Sequence, residues 1–207
     1  HDGIGVIDVG PDKTRADGAG LLTAAELDAL VTTIHAKTDG QSREATGAAA
    51  SNLDLYQVNS TFYDALGRDD AHYLAARAVQ YFLPGVPQVY YVGALAGSND
   101  MELLRRTGVG RDINRHTFTD DEVDAALERP VVVALRALMR LRSQHPAFRG
   151  EFSWSAADGE LRLGWEAGDD RAWLTFTARE GSAVVGWTEP GSDGGSTERE
   201  VAVEALA

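Results

Sequence analysis

Between Ala48 and Gly67 the chain reads AAASNLDLYQVNSTFYDALG, a run rich in small residues, amides, phenols and hydroxyls with no helical apolar stripe. Asp54, Tyr56 and Gln57 occupy alternate or adjacent positions of a short extended segment within it. Together they offer an acceptor, a phenol and an amide, a combination suited to a polyhydroxylated ligand. Most polar loops of this kind are only surface, but glycine-flanked polar and aromatic loops are also where sites concentrate. Two other places carry suitable chemistry. His1-Asp2 stands at the start, before the small and β-branched run Gly3-Ile4-Gly5-Val6-Ile7. Arg111 lies inside Gly108-Val109-Gly110-Arg111-Asp112-Ile113-Asn114-Arg115-His116. A carboxylate, an imidazole and a guanidinium converging on one mouth would grip a sugar, the acid accepting from neighbouring hydroxyls and the base donating to them.

Composition removes several classes of function. The 207 residues carry a formal charge of −13, which argues against a nucleic-acid partner, because phosphate binders concentrate Lys and Arg. No run approaches the ~20 apolar residues that span a bilayer, so no membrane role is expected. Cysteine is absent, which excludes disulfides, thiolate metal sites and cysteine nucleophiles from this stretch, and a reducing, cytoplasmic setting is the simplest expectation. Gly108-x-Gly110 lacks the strand-turn-helix setting of a nucleotide loop. His35, His72, His116 and His145 show no metal-ligand spacing and read as surface or capping residues. The chain does not begin with Met and reads as cut inside a domain.

The elements that must position these residues follow from local signals. Thr23-x-x-Glu26 is a capping box, and Leu27, Leu30, Val31 and Ile34 follow at helical spacing to about Ala36. Asp70 is the expected N-cap of a helix lined by Leu74, Ala78, Tyr81 and Phe82 and stopped by Pro84-Gly85. Val86–Gly93 is short, apolar and β-prone, and reads as a strand buried on both faces of a parallel sheet. Helix, tight turn and buried strand in that order match one unit of an α/β barrel, whose reacting groups sit at C-terminal strand ends. Thr119-x-x-Glu122 caps a further helix, and Pro130 opens another with Val132, Leu135 and Leu138 inward and Leu141 or Arg142 closing the stripe. After about Phe148 the pattern becomes period two through Trp154, Leu161–Trp165, Ala172–Thr177, Val184-Val185 and Val201–Val203. This predicts a small antiparallel β-domain, with Trp154, Trp165 and Trp173 read as core.

With these residues in view, a resemblance can be stated. His1-Asp2-Gly3 resembles the last carboxylate motif of the α-amylase superfamily. AAASNLDLYQVNSTFYDALG, PGVPQVYYVGALAGSNDMELL and GRDINRH, in that order, resemble the sucrose phosphorylases within it. The likeness runs from His1 to about Gly150 and fades over the last sixty or so residues. It implies a retaining enzyme on a (β/α)8 barrel that moves glucose from sucrose to an aspartate and releases fructose. Phosphate then takes the glucosyl group as α-glucose 1-phosphate. By that resemblance Asp2 is the carboxylate that stabilises the transition state, while His1 and Arg111 bind glucosyl hydroxyls. Asp54, Tyr56 and Gln57 belong to a mobile acceptor-side loop that meets fructose and phosphate in turn. No metal or organic cofactor is implied, and a homodimer is left open.

The resemblance also fixes what should lie elsewhere. Retaining chemistry needs a nucleophile and an acid/base carboxylate about 5–5.5 Å apart, and in the family both precede the His-Asp motif. The expected organisation is residues 1–2 as the end of barrel strand seven and 3–67 as an inserted loop and helix subdomain. The last barrel unit with its closing helices then covers 68–147, and the C-terminal antiparallel β-domain 148–207. The chain is expected to be the C-terminal portion of such an enzyme and inactive alone. Two other readings stay open: a sister phosphorylase acting on sucrose 6′-phosphate, glucosylglycerol or glucosylglycerate, and a carbohydrate-binding or structural β-module.

Overall fold

The computed structural model describes residues 3–11, 18, 20–47, 55–191 and 195–206. Of the candidate residues, His1, Asp2 and Asp54 lie outside these. In chain order the first elements are β1 (Ile4–Gly5), α1 (Ala24–Lys37), α2 (Gln41–Thr46), β2 (Gln57–Val58), α3 (Phe62–Ala65), α4 (Asp70–Phe82), α5 (Tyr91–Ala94) and α6 (Met101–Thr107). A 3-10 turn at Gly110–Asn114 precedes α7 (Asp120–Leu127) and α8 (Pro130–Gln144). Five strands complete the order: β3 (Glu151–Ala157), β4 (Glu160–Ala167), β5 (Asp170–Thr177), β6 (Ser182–Pro190) and β7 (Ser196–Ala202). The result is an α/β fold with an antiparallel sheet at its C-terminal end. It divides into two compact units, one of His1–Arg68 with Tyr90–Thr119, the other of Asp69–Val89 with Asp120–Ala207.

In the first unit, α1 starts where its capping box requires: Thr23 Oγ1 accepts from the Glu26 N–H, and the Glu26 carboxylate accepts from the Thr23 N–H at 2.8 Å. Leu27, Val31 and Ile34 form its buried stripe, while Leu30, expected inside, is 39% exposed. Those three side chains join Val6, Leu55, Val58 and Ala65 in one apolar cluster. The cluster clamps the two-residue ladder in which β1 runs antiparallel to β2, Ile4 opposite Val58 and Gly5 opposite Gln57. So short a ladder holds only because apolar packing lies beneath it.

The second unit joins α4 and α8 to the five-stranded sheet, ordered β3-β4-β5-β6-β7 with each neighbour antiparallel. Asp69, not Asp70, is the N-cap of α4, since its carboxylate accepts from the His72 N–H at 2.9 Å. Leu74, Ala78, Tyr81 and Phe82 are buried as expected, and so are Val132, Leu135 and Leu138 of α8. The β3–β4 hairpin turns at Asp158-Gly159 with φ of 53° and 82°, the positive pair that a tight two-residue turn needs. Trp165 is core: Nε1 donates to Phe82 O at 2.6 Å, and the Arg142 guanidinium lies 5.0 Å from its ring centroid. Trp154, expected inside with it, is 69% exposed. It pairs with Leu163 and so shares the inner face, but it sits on an edge strand with no strand beyond it.

One expected element does not form. Residues 86–90 take no regular structure, α5 begins at Tyr91, and Val86 is 88% exposed. A strand buried on both faces needs flanking strands to satisfy its backbone. Among the described residues none pairs with this segment, and no closed (β/α)8 barrel is present.

Candidate functional site

The expected site residues that are described all fall in the first unit. Leu55 and Val58 point into the α1 cluster and anchor the strand between them. Tyr56 is 68% exposed, while its carbonyl accepts from the N–H groups of Val6 at 3.2 Å and Ile7 at 3.4 Å. Gln57 is half-buried, and its Nε2 donates to Asn59 Oδ1 at 2.8 Å. Residues two apart in an extended run share a face, and this contact is the direct consequence.

Arg111 is exposed on the 3-10 turn Gly110–Asn114. That turn is anchored by Ile113, fully buried in a small cluster with Ala45 and Leu104, and by the Asp100 N–H donating to Ile113 O at 2.7 Å. Its first residue has to be glycine. A Cβ on Gly110 would lie 2.1 Å from Ala45 O and 2.6 Å from Asn59 Nδ2. Gly3, the neighbour of Asp2, is similarly tight, because a Cβ there would lie 2.5 Å from Val58 O and 2.8 Å from Asn59 Oδ1. The structure thus brings Gln57, the residue before Arg111 and the residue after Asp2 around one side chain, Asn59.

Beside Asn59 a second polar knot holds the loop in place. Asp64 is almost wholly buried. It accepts from Thr61 Oγ1 at 2.8 Å, the Asn99 N–H at 2.9 Å and Arg68 Nη1 at 3.1 Å. Asn99 Oδ1 in turn accepts from the Thr61 N–H at 2.8 Å, and its Nδ2 donates to Gln41 Oε1 at 3.1 Å. Further along, Asp100 caps α6 by accepting from the Leu103 N–H at 2.7 Å and meets His116 Nδ1 at 2.7 Å. Partial burial alone would raise the Asp100 carboxyl, but these hydrogen bonds hold it below the usual carboxylate range. Tyr91 donates to His116 O at 2.7 Å. Burial, with Tyr90 beside it, pushes its hydroxyl up to about 12, so it stays a donor.

Sequence reasoning missed Asn59, Asp64 and Asn99. The only signal for Asn59 was its place two residues after Gln57, and the other two gave none at all. His35 is not a surface histidine: it is buried, with Nδ1 2.6 Å from Ser42 Oγ. His145 does act as a cap, accepting from the Ala147 N–H at 3.3 Å. Among the described residues no group of three or more His, Asp or Glu could hold a metal ion, and no helix is long and apolar enough to cross a membrane.

Comparison with known proteins places this arrangement in context. No family model matches the chain. It is 58% identical over 185 residues to the sucrose phosphorylase of Bifidobacterium adolescentis, covering 89% of this chain and 37% of that protein. It is also 58% identical over 187 residues to the sucrose phosphorylase of Agrobacterium vitis, covering 89% of this chain and 38% of that protein. Among solved structures, sucrose 6F-phosphate phosphorylase from Thermoanaerobacter thermosaccharolyticum matches with a TM-score of 0.75 at 34% identity, over 92% of this chain and 39% of that one. The chain therefore spans well under half the length of the relatives it matches. Over almost nine-tenths of its own length it is homologous to them, and it belongs to the sucrose phosphorylase family.

Proposed function

We propose that this chain is the C-terminal part of a sucrose phosphorylase, converting sucrose and phosphate to α-glucose 1-phosphate and fructose by a retaining double displacement. The observation that carries this reading is the 58% identity to two sucrose phosphorylases over 89% of the chain, against 47% over 59% of the chain to a relative named for sucrose 6(F)-phosphate. That last likeness also supports the second reading, a sister phosphorylase with a different acceptor group. In the intact enzyme the chain completes a (β/α)8 barrel. Residues 1–2 end its seventh strand, 3–67 form the inserted subdomain, 68–147 the last unit and closing helices, and 148–207 the β-domain. The nucleophile and the acid/base carboxylate come from residues preceding His1. The absence of cysteine supports a cytoplasmic setting.

Asp2 stays ionised and accepts from glucosyl hydroxyls while positive charge develops on the ring, and His1 and Arg111 donate to the same ring. Hydrogen bonds that strengthen as the ring flattens favour the transition state over bound sucrose. Tyr56 and Gln57 donate to the oxygens of the incoming acceptor without the fixed charge that would retain product. Asp54, on the same loop, repels phosphate unless the segment moves between the half-reactions. The clustering of Gln57, Gly3 and Gly110 around Asn59 supports this assembly.

The test is an assay of the intact gene product. Phosphate-dependent release of α-glucose 1-phosphate from sucrose, with far weaker turnover of sucrose 6′-phosphate, glucosylglycerol and glucosylglycerate, is the expected result. Preference for any of those three would transfer the assignment to the sister activity. The 207-residue chain alone should give none of these products.

A further inference from the structure

We infer that Asn59 is the positioning residue that sets the orientation of the Gln57 amide and ties the acceptor segment to the Arg111 turn; this rests on the phosphorylase reading above. Asn59 is 9% exposed, and its polar groups reach two parts of the first unit, the end of α2 and Gln57. Its backbone N–H donates to Thr46 Oγ1 at 3.0 Å, its Nδ2 donates to Ala45 O at 3.0 Å, and its Oδ1 accepts from Gln57 Nε2 at 2.8 Å.

The direction of this relay is fixed at its far end. A backbone carbonyl only accepts, so Asn59 must turn Nδ2 toward Ala45 O. Its Oδ1 then faces Gln57, and Gln57 must answer with Nε2 rather than Oε1. The Gln57 amide, which could otherwise flip, is thereby committed: Oε1 and the second Nε2 hydrogen are turned away from Asn59. No common replacement does the same. Aspartate has no donor for Ala45 O, leucine strands both partners, and serine is too short to span them.

The backbone crowds this amide at both ends. A Cβ on Gly3 would come within 2.8 Å of Oδ1, and one on Gly110 within 2.6 Å of Nδ2. The chain leading from Asp2 and the chain leading into Arg111 therefore both take their positions from the same planar group. The glucosyl-side and acceptor-side segments share one reference point.

The experiment is a double-mutant cycle in the intact enzyme, with steady-state constants for sucrose and phosphate and a melting temperature for each variant. Asn59→Ala is expected to raise KM for phosphate about three- to tenfold, the range of one lost hydrogen bond. In a Gln57→Ala background the same change should move it less than twofold, because the partner it positions is gone. Thr46→Val removes the acceptor of the Asn59 N–H and loosens the same loop without touching the relay. It should lower the melting temperature and leave KM for phosphate unchanged. Should Asn59→Ala prove insoluble, Asn59→Ser is read in the same cycle. Independent, multiplying effects of Asn59 and Gln57, or an Asn59 variant that behaves kinetically like Thr46→Val, would overturn the inference and leave the phosphorylase reading standing. Wild-type enzyme with no phosphorolysis would overturn both.

Discussion

Replacing Gly110 by alanine tests whether close backbone approach, and not loop flexibility, places Arg111. The new Cβ would lie 2.1 Å from Ala45 O, where ordinary contact begins near 3.4 Å, so relief requires a movement of about 1.3 Å. Ala45 cannot easily give way. It is buried with Leu104 and Ile113, and its carbonyl already accepts from Asn59 Nδ2. The turn that carries Arg111 must move instead. Overpacking of this kind costs about 1–3 kcal/mol in stability, and a misplacement of about 1 Å at a substrate-holding group costs on the order of a hundredfold in rate. The control is Gly108→Ala, two residues earlier, where φ is +67° and nothing lies within 4 Å of the added atom. That change strains the backbone by about 1 kcal/mol without pushing on any neighbour. In the intact enzyme, Gly110→Ala should therefore lower kcat/KM for sucrose roughly a hundredfold, while Gly108→Ala lowers only the melting temperature. If the two variants have sucrose kcat/KM within twofold of each other, the steric argument is wrong.

The remaining predictions concern stability. Burial, and then the neighbouring Arg43, push the His35 imidazole below its ordinary value. Below pH roughly 6.5 the unfolded chain takes up a proton that the folded protein resists. Stability should then fall as pH drops through that window, by at most about 1.4 kcal/mol per pH unit. Urea unfolding between pH 7.5 and 5.5 should show this slope reduced in His35→Gln, and an unchanged slope would remove His35 as its source. Trp165→Phe deletes the hydrogen bond to Phe82 O and weakens the stacking of Arg142. Its expected cost is about 1–3 kcal/mol, and a melting temperature equal to wild type would contradict it.

How much of this was readable beforehand depended on which force fixes each segment. The capping box at Thr23, the apolar stripes of α4 and α8, and the alternation through β4 and β5 declare themselves, because apolar burial with a fixed period shows in a single sequence. The expected strand at 86–92 had the right composition, but composition cannot supply flanking strands, and without them residues 86–90 take no regular structure and Tyr91 and Val92 enter α5. The tryptophans divided for a related reason. Trp165 sits inside the sheet against Phe82 and Phe148, while Trp154 has the same alternation on an edge strand. Period two reports the face of a residue, not its distance from the rim.

The site segments fall on the other side of that division. Residues 55–64 and 97–116 are mostly irregular or held in single turns, so their backbone groups cannot all be satisfied by a ladder or a helix. Side chains take over that work: Asn59 for Ala45 O, Asn99 for the Thr61 N–H, Asp64 for the Asn99 N–H, Asp100 for the Leu103 N–H. Apart from Asp100, a helix cap three residues from its partner, each is a polar residue whose partner is set by the path of the chain and not by a sequence interval. Asn99 and Asp64 lie 35 positions apart yet bond directly. Such pairs leave no periodic trace, which is why Gln57 and Arg111 could be singled out by chemical type while the residue between them could not. The same dependence makes the loop sensitive to isosteric change. Swapping an amide for an apolar group of equal size preserves the volume and removes a donor and an acceptor together. Buried partners left unpaired cost about 1–3 kcal/mol each, so the polar knots of this unit should tolerate size changes better than changes in hydrogen-bonding capacity.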